Sequence, residues 1–167
     1  QNFLCFDKHE GKAWKILGAY HQYFAVNKAL QRTFDAVKGD GKIGVFWHTQ
    51  GSGKSFSMLF FTHLVIKHFA ESTILVVTDR KDLDQQLYTQ FGRCKDFLRT
   101  EPMNATSRTE LIELLKNRQS GGIIFTTIQK FEEGNEPLST RKNIIVMTDE
   151  AHRSQYGDEH WDTKTET

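Results

Sequence analysis

One stretch, His48-Thr49-Gln50-Gly51-Ser52-Gly53-Lys54-Ser55, constrains this chain more than any other. It follows an apolar run, Ile43-Gly44-Val45-Phe46-Trp47, that reads as a buried strand. It opens an apolar segment, Phe56 to Phe69, that reads as a helix. Strand, glycine-containing loop and helix, with Lys-Ser at the junction, is the arrangement that cradles the phosphates of a nucleotide. Gly51 and Gly53 let the backbone curl so that successive N–H groups face anionic oxygens. The helix N-terminus adds unpaired donors and a partial positive charge. Lys54 reaches the terminal phosphates as a point charge, and Ser55 offers a hydroxyl to Mg2+, which prefers hard oxygen ligands. Thr49, Gln50 and Ser52 complete the predicted cradle. His48 departs from the strict pattern, since it stands where a first glycine is expected. The competing reading is a bare Gly/Ser turn between two core elements, but such a turn has no need of Lys-Ser after its glycine.

The second anchor is Asn143-Ile144-Ile145-Val146-Met147-Thr148-Asp149-Glu150-Ala151-His152. A β-branched apolar run ending in two adjacent acids reads as a buried parallel strand that delivers carboxylates to the carboxyl edge of a sheet. Asp149 is then the expected Mg2+ ligand, through water, and Glu150 the residue that polarises the attacking water. Taken alone, an acidic pair after a strand is a solvated strand end; the phosphate loop upstream is what favours the chemical reading.

With 167 residues the chain is long enough for one domain with a real core. Hydrophobic residues at 38% and charged residues at 26% are those of a globular protein. A net charge of +1 carries no signature of nucleic-acid binding, so any basic track is local. Cys5 and Cys94 lack metal-ligand spacing and read as reduced thiols of a cytoplasmic protein. The most apolar segment, Phe56 to Ile66, is too short to span a membrane and contains His63. No signal peptide, repeat or low-complexity tract is visible. An opening on Gln1 suggests a cut from a longer chain.

Along the chain, Phe3-Leu4-Cys5-Phe6 reads as a strand and Asp7 to Lys12 as a polar turn. Tyr20 to Val37 reads as a helix with Val26, Leu30, Phe34 and Val37 on one stripe, broken by Gly39-Asp40-Gly41. Gln22 lies at its start. A glutamine amide donates and accepts at once, which suits an adenine edge, but on residue type alone Gln22 reads as a surface residue. Tyr20 and Tyr23 are open to base packing or core packing. The helix after Lys54 is apolar nearly all round, so its aromatics are core. Thr73 to Val77 is a second buried strand, running into Thr78-Asp79-Arg80-Lys81-Asp82 and a helix with Leu83, Leu87 and Phe91 on one face. The polar loop suits either a phosphate backbone or a helix cap. Cys94 to Asn104 reads as irregular. Ser107 and Glu110 form a capping box for a helix with Leu111, Ile112, Leu114 and Leu115 as its core face, ended by Gly121-Gly122. Ile123 to Thr126 is a further strand, followed by Thr127-Ile128-Gln129-Lys130-Phe131. Strands alternating with helices predict an α/β fold, a parallel sheet sandwiched between helices, with ligands at the carboxyl ends of the strands.

The phosphate loop, the strand ending in Thr148-Asp149-Glu150-Ala151-His152 and the loop Thr78-Asp79-Arg80 together resemble the first RecA-like P-loop NTPase domain of a superfamily 2 helicase. Three longer stretches are similar to the R subunit of type I restriction-modification enzymes. They are Tyr20-His21-Gln22-Tyr23-Phe24-Ala25-Val26, Thr78-Asp79-Arg80-Lys81-Asp82-Leu83-Asp84-Gln85-Gln86-Leu87 and Asp149-Glu150-Ala151-His152-Arg153-Ser154-Gln155-Tyr156-Gly157. The resemblance covers the chain from about Leu17 to Gly157.

That resemblance implies an ATP- and Mg2+-dependent motor that translocates along duplex DNA, in a subunit that also cuts it. It places a lead-in at residues 1–18, the motor domain at 19–160 and a polar tail at 161–167. It implies Gln22 as the adenine reader, Thr49 to Ser55 as the triphosphate cradle, and His152 as the residue coupling ATP to the next motor motif. Thr78, Asp79, Arg80, Thr127, Gln129 and Lys130 match loops that follow the DNA backbone. Lys54 and Glu150 match the catalytic pair. Ala19 departs from the pattern, since related chains often carry arginine there. The implied partners are duplex DNA and the methyltransferase and specificity subunits, in the cytoplasm of a prokaryote and away from membranes. The nuclease domain would precede this segment, and a second motor domain with its arginine finger would follow it. The alternatives are another superfamily 2 helicase or remodeller, or a nucleotide-binding module that only switches shape.

Overall fold

A computed structural model describes residues 2–47, 49, 51–79, 81–132 and 137–149. The chain opens with an antiparallel hairpin, β1 (Leu4–His9) and β2 (Lys12–Leu17). Its turn is the residue pair Glu10-Gly11, at φ 49° and 73°. Two central residues with positive φ match the right-handed twist of the flanking strands, which lets a two-residue turn close the hairpin. The expected polar turn from Asp7 to Lys12 therefore shrinks to its centre, because Asp7, Lys8 and His9 stay in the ladder opposite Trp14, Ala13 and Lys12.

Helix α1 (Tyr20–Lys38) packs on α2 (Lys54–His68). Val26 and Leu30 are buried on the predicted stripe, while Val37 ends up exposed at the last turn. Then come β3 (Thr73–Thr78), α3 (Lys81–Arg93), the short α4 (Lys95–Leu98) and β4 (Met103–Asn104). They are followed by α5 (Arg108–Asn117), β5 (Ile123–Thr127), α6 (Ile128–Glu132) and β6 (Ile144–Thr148). Ser107 caps α5 as its sequence predicts, its side chain accepting from the N–H of Glu110 at 3.1 Å.

The four strands β4, β5, β3 and β6 lie side by side in that order and are all parallel where they pair. β3 is buried along its whole length, which is why Thr73-Ile74-Leu75-Val76-Val77-Thr78 is a continuous rather than alternating apolar run. Ile74 and Val76 face one core, shared with Phe60, Leu64, Phe91, Ile123 and Phe125. Leu75 and Val77 face a second, shared with Ile124, Leu111 and Leu115. Alternation across the pleat thus builds a helix layer on each face, the α/β sandwich expected of a RecA-like domain. The hairpin joins the first core: Cys5 is buried in it, and Phe3 meets the rings of Phe60 and Tyr23 at 5.4 and 4.9 Å. Lys8 and Asp96 add an exposed ion pair to α4. Cys5 and Cys94 are free, buried and hydrogen-bonded to each other; that bond and burial push the Cys94 thiol up.

One predicted element is corrected. Ile43 to Trp47 does not enter the sheet as a buried strand. Gly44 sits at φ +127°, outside the strand region, and contributes no side chain to pack. Val45 and Trp47 are 83% and 81% exposed, and only Ile43 packs against the core. Among the described residues β6 is then the last strand on its side of the sheet, with Val146 46% exposed. Among the described residues no helix is long and apolar enough to cross a membrane.

Candidate nucleotide site

The phosphate loop enters α2 directly. Gly51 and Gly53 hold φ of +78° and +79°, and Gly53 is the left-handed N-cap of α2. Only glycine takes this conformation without strain, so the two predicted glycines are where the backbone needs them. A Cβ at Gly51 meets nothing within 4 Å, whereas one at Gly53 falls 2.8 Å from Gln22 Nε2. Lys54 and Ser55 are the first two helical residues, both half-buried, and the first turn of α2 holds no acid. That leaves the positive end of the helix uncompensated, the condition for holding an anion. The N–H of Ser52 donates to the Thr49 carbonyl at 3.2 Å and closes the loop's turn. The positive-φ cradle, the free-ended helix and a neighbouring lysine fit a nucleotide triphosphate.

Two residues of α1 grip this loop. His21 Nε2 lies 3.2 Å from the Ser52 carbonyl, and since a carbonyl only accepts, the imidazole N–H donates. Gln22 Nε2 donates to the Gly53 carbonyl at 2.9 Å, while its Oε1 accepts from the Ala19 N–H at 2.8 Å. Gln22 is buried, so the amide implied as an adenine reader is engaged by backbone on both sides. The reason is local. Ala19 caps α1 without a side-chain acceptor or donor, and Gln22 three positions on supplies the return bond of a capping box. The sequence carried that signal, a glutamine three residues after a helix start; the grip of His21 has no signal of its own.

Asp149 follows β6 directly, and its N–H donates to the Val77 carbonyl at 2.9 Å, which ties the acid to the central strand. A serine hydroxyl at the start of α2 and one carboxylate at the sheet's carboxyl edge suit Mg2+, which takes few protein ligands and completes its shell with water and phosphate. Among the described residues no cluster of three or more His, Cys, Asp or Glu could hold a metal unaided. His48, Gln50, Arg80, Glu150 and His152 lie outside the described residues.

The side chains assigned to a DNA track divide. Thr78 and Thr127 are each 1% exposed, because they are opposed in register at the ends of β3 and β5, still inside the ladder. The Thr78 hydroxyl donates to the Thr126 carbonyl at 3.4 Å. The Lys130 ammonium donates to the Ala105 carbonyl at 2.7 Å. Gln129 is exposed and its amide donates to the Asp79 carbonyl at 3.2 Å, so the loop after β3 is tied to α6, which follows β5 directly. Of the expected track, the structure puts Gln129 at the surface, with Asp79 half-buried beside it, and turns both threonines and Lys130 to bracing.

The family model that matches this chain is that of the SWI2/SNF2 ATPase, over residues 21–166. The endonuclease subunit of the type I restriction enzyme HindI of Haemophilus influenzae is 49% identical, over 93% of this chain and 16% of that subunit. The putative type I restriction enzyme MjaIXP endonuclease subunit of Methanocaldococcus jannaschii is 41% identical over 94% of this chain and 15% of the relative. The SauCOLORF180P endonuclease subunit of Staphylococcus aureus is 31% identical over 84% and 15%. The chain thus spans about a sixth of the length of the curated relatives it matches.

Proposed function

We propose, from the premise that this chain belongs to the SWI2/SNF2 ATPase family, that it is the ATP-hydrolysing first motor domain of a type I restriction enzyme's endonuclease subunit. The observation that carries this is the loop itself: two left-handed glycines feeding a helix that starts on Lys54-Ser55 with no acid in its first turn. In this reading residues 19–160 form the motor. Gly51 and Ser52 shape the loop around the triphosphate, the N–H groups of Gly53 and Lys54 turn toward it, and the Lys54 ammonium balances charge on its terminal oxygens. Ser55 and Asp149 would hold Mg2+, which supplies charge neutralisation between the phosphates. Glu150 takes the role of orienting the attacking water. Gln129 on α6 and Asp79 in the loop after β3, tied to each other, would follow a DNA backbone, and His152 would couple nucleotide state to the rest of the motor.

The full-length protein is then proposed to translocate duplex DNA and cut it, working with methyltransferase and specificity subunits. Relatives named as restriction-enzyme endonuclease subunits support that reading, and their length leaves room for a nuclease domain and a second motor domain. An arginine from that second domain is worth about three to five orders of magnitude in comparable enzymes, so the chain alone is expected to hydrolyse ATP barely at all. The test is Glu150→Gln in the full-length protein. Nucleotide binding is expected to persist while hydrolysis falls to background. Unchanged hydrolysis would remove Glu150 from its role and favour a different water-positioning residue; hydrolysis already absent in the wild type would favour a nucleotide switch.

A further inference from the structure

We infer that His21, in the first turn of α1, is a positioning residue for the triphosphate: it sets the orientation of the Ser52–Gly53 peptide and hence where that peptide's N–H points. The inference rests on the reading above that a triphosphate occupies this loop.

A trans peptide is planar, with its C=O and N–H directed oppositely. The Gly53–Lys54 peptide is pinned by its carbonyl, which accepts from Phe56 N–H and Ser57 N–H at 3.1 Å each and from Gln22 Nε2 at 2.9 Å. Its N–H, that of Lys54, therefore points away from α1. The preceding Ser52–Gly53 peptide has no helical bond to orient it, since Ser52 precedes the N-cap. It is turned by ψ of Ser52 and φ of Gly53, and Gly53, a glycine at positive φ, lets it flip at little cost. Its carbonyl is held by His21 Nε2 at 3.2 Å, on the same side as Gln22. Two adjacent side chains of α1 thus hold two successive loop carbonyls. Both carbonyls face α1, and the N–H groups of Gly53 and Lys54 face the opposite side together. A flip of the Ser52–Gly53 peptide would replace a donor with a carbonyl oxygen aimed at the phosphates. His21 opposes that flip while touching neither base nor phosphate.

The experiment is steady-state ATP hydrolysis by the full-length protein, with inorganic tripolyphosphate and adenosine as competing ligands. His21→Ala is expected to raise KM for ATP and Ki for tripolyphosphate by the same factor, about fivefold, the worth of one net hydrogen bond. kcat at saturation and the Ki of adenosine should stay at wild-type values. His21→Gln, whose amide N–H reaches the same carbonyl, should restore most of the affinity, and His21→Asn, with a shorter stem, should not. His21 is exposed, so none of these changes threatens the fold. An unchanged tripolyphosphate Ki in His21→Ala, or a loss confined to adenosine and ATP, would overturn the inference. Lys54→Ala separates it from its premise. If that variant loses turnover while His21→Ala matches the wild type, only the role of His21 falls. If Lys54→Ala turns over normally, the loop is not the triphosphate site and both fall.

Discussion

Replacing Lys54 by alanine in the full-length protein is expected to lower ATP turnover by about a hundredfold to a thousandfold, the usual cost of removing one preorganised charge or donor from a reacting oxygen. Lys54 stands at the first position of α2, half-buried beside a loop whose glycines are already in the left-handed conformation. The cradle's backbone therefore does not depend on the lysine, and its ammonium is free to serve the ligand. The fold is expected to be kept, because the buried part of α2 begins further on, at Ser57, Leu59 and Phe60. Steady-state kinetics checks the turnover, and a thermal melt checks the fold. A variant that melts like the wild type yet keeps its turnover would mean that this loop does not hold the triphosphate.

At the opposite edge of the sheet, Arg141→Ala is expected to cost about 2–4 kcal/mol of stability, more than one hydrogen bond to a charged group. Its guanidinium donates to the Leu115 carbonyl at 3.1 Å and to the Arg118 carbonyl at the end of α5, to Thr73 Oγ1 at 2.7 Å and to Asn143 Oδ1 at 3.0 Å. Asn143 in turn donates to the Glu71 and Gln119 carbonyls at 2.8 and 3.2 Å. One planar fork thus collects the C-terminal carbonyls of a helix and the entrances of β3 and β6, where the helix dipole favours a cation. Arg141→Lys should recover little, since an ammonium cannot place donors in the same fork. Urea denaturation of both variants checks this. A loss below about 1 kcal/mol for alanine would show the donors to be replaced by water.

Much of this arrangement was legible from residue order. Thr73 to Val77 and Ile123 to Thr126 announce themselves because strands buried on both faces need unbroken β-branched runs, whereas Ile144 to Thr148, expected to be buried, has the same composition but buries only Ile145 and leaves Val146 exposed. α2 was legible because a helix sandwiched in a core has no polar face. Where a segment's fate depends on non-local pairing, residue order fell short. Ile43 to Trp47 has strand composition, yet Gly44 turns out of the strand region and the run stays outside the ladder. α4 and β4 are four and two residues long, too short to show a period. In the site, the glycines, Lys54, Ser55 and Asp149 followed from motif and spacing. Gln22 was found by its family pattern, but its contacts with Ala19 and Gly53 come from the packing of α1 on the loop. The roles of His21 and Arg141 are set by partners 31 and up to 68 residues away, which no local pattern encodes. Thr78 and Thr127 look like loop hydroxyls in sequence and are instead the last rungs of the central ladder.

ATP hydrolysis by the full-length protein, measured with duplex DNA, with RNA and with neither, decides whether this domain drives a DNA motor. A DNA-translocating motor is expected to turn over severalfold or more faster with duplex DNA and no faster with RNA. Turnover that RNA stimulates equally, or that no nucleic acid changes, would contradict it.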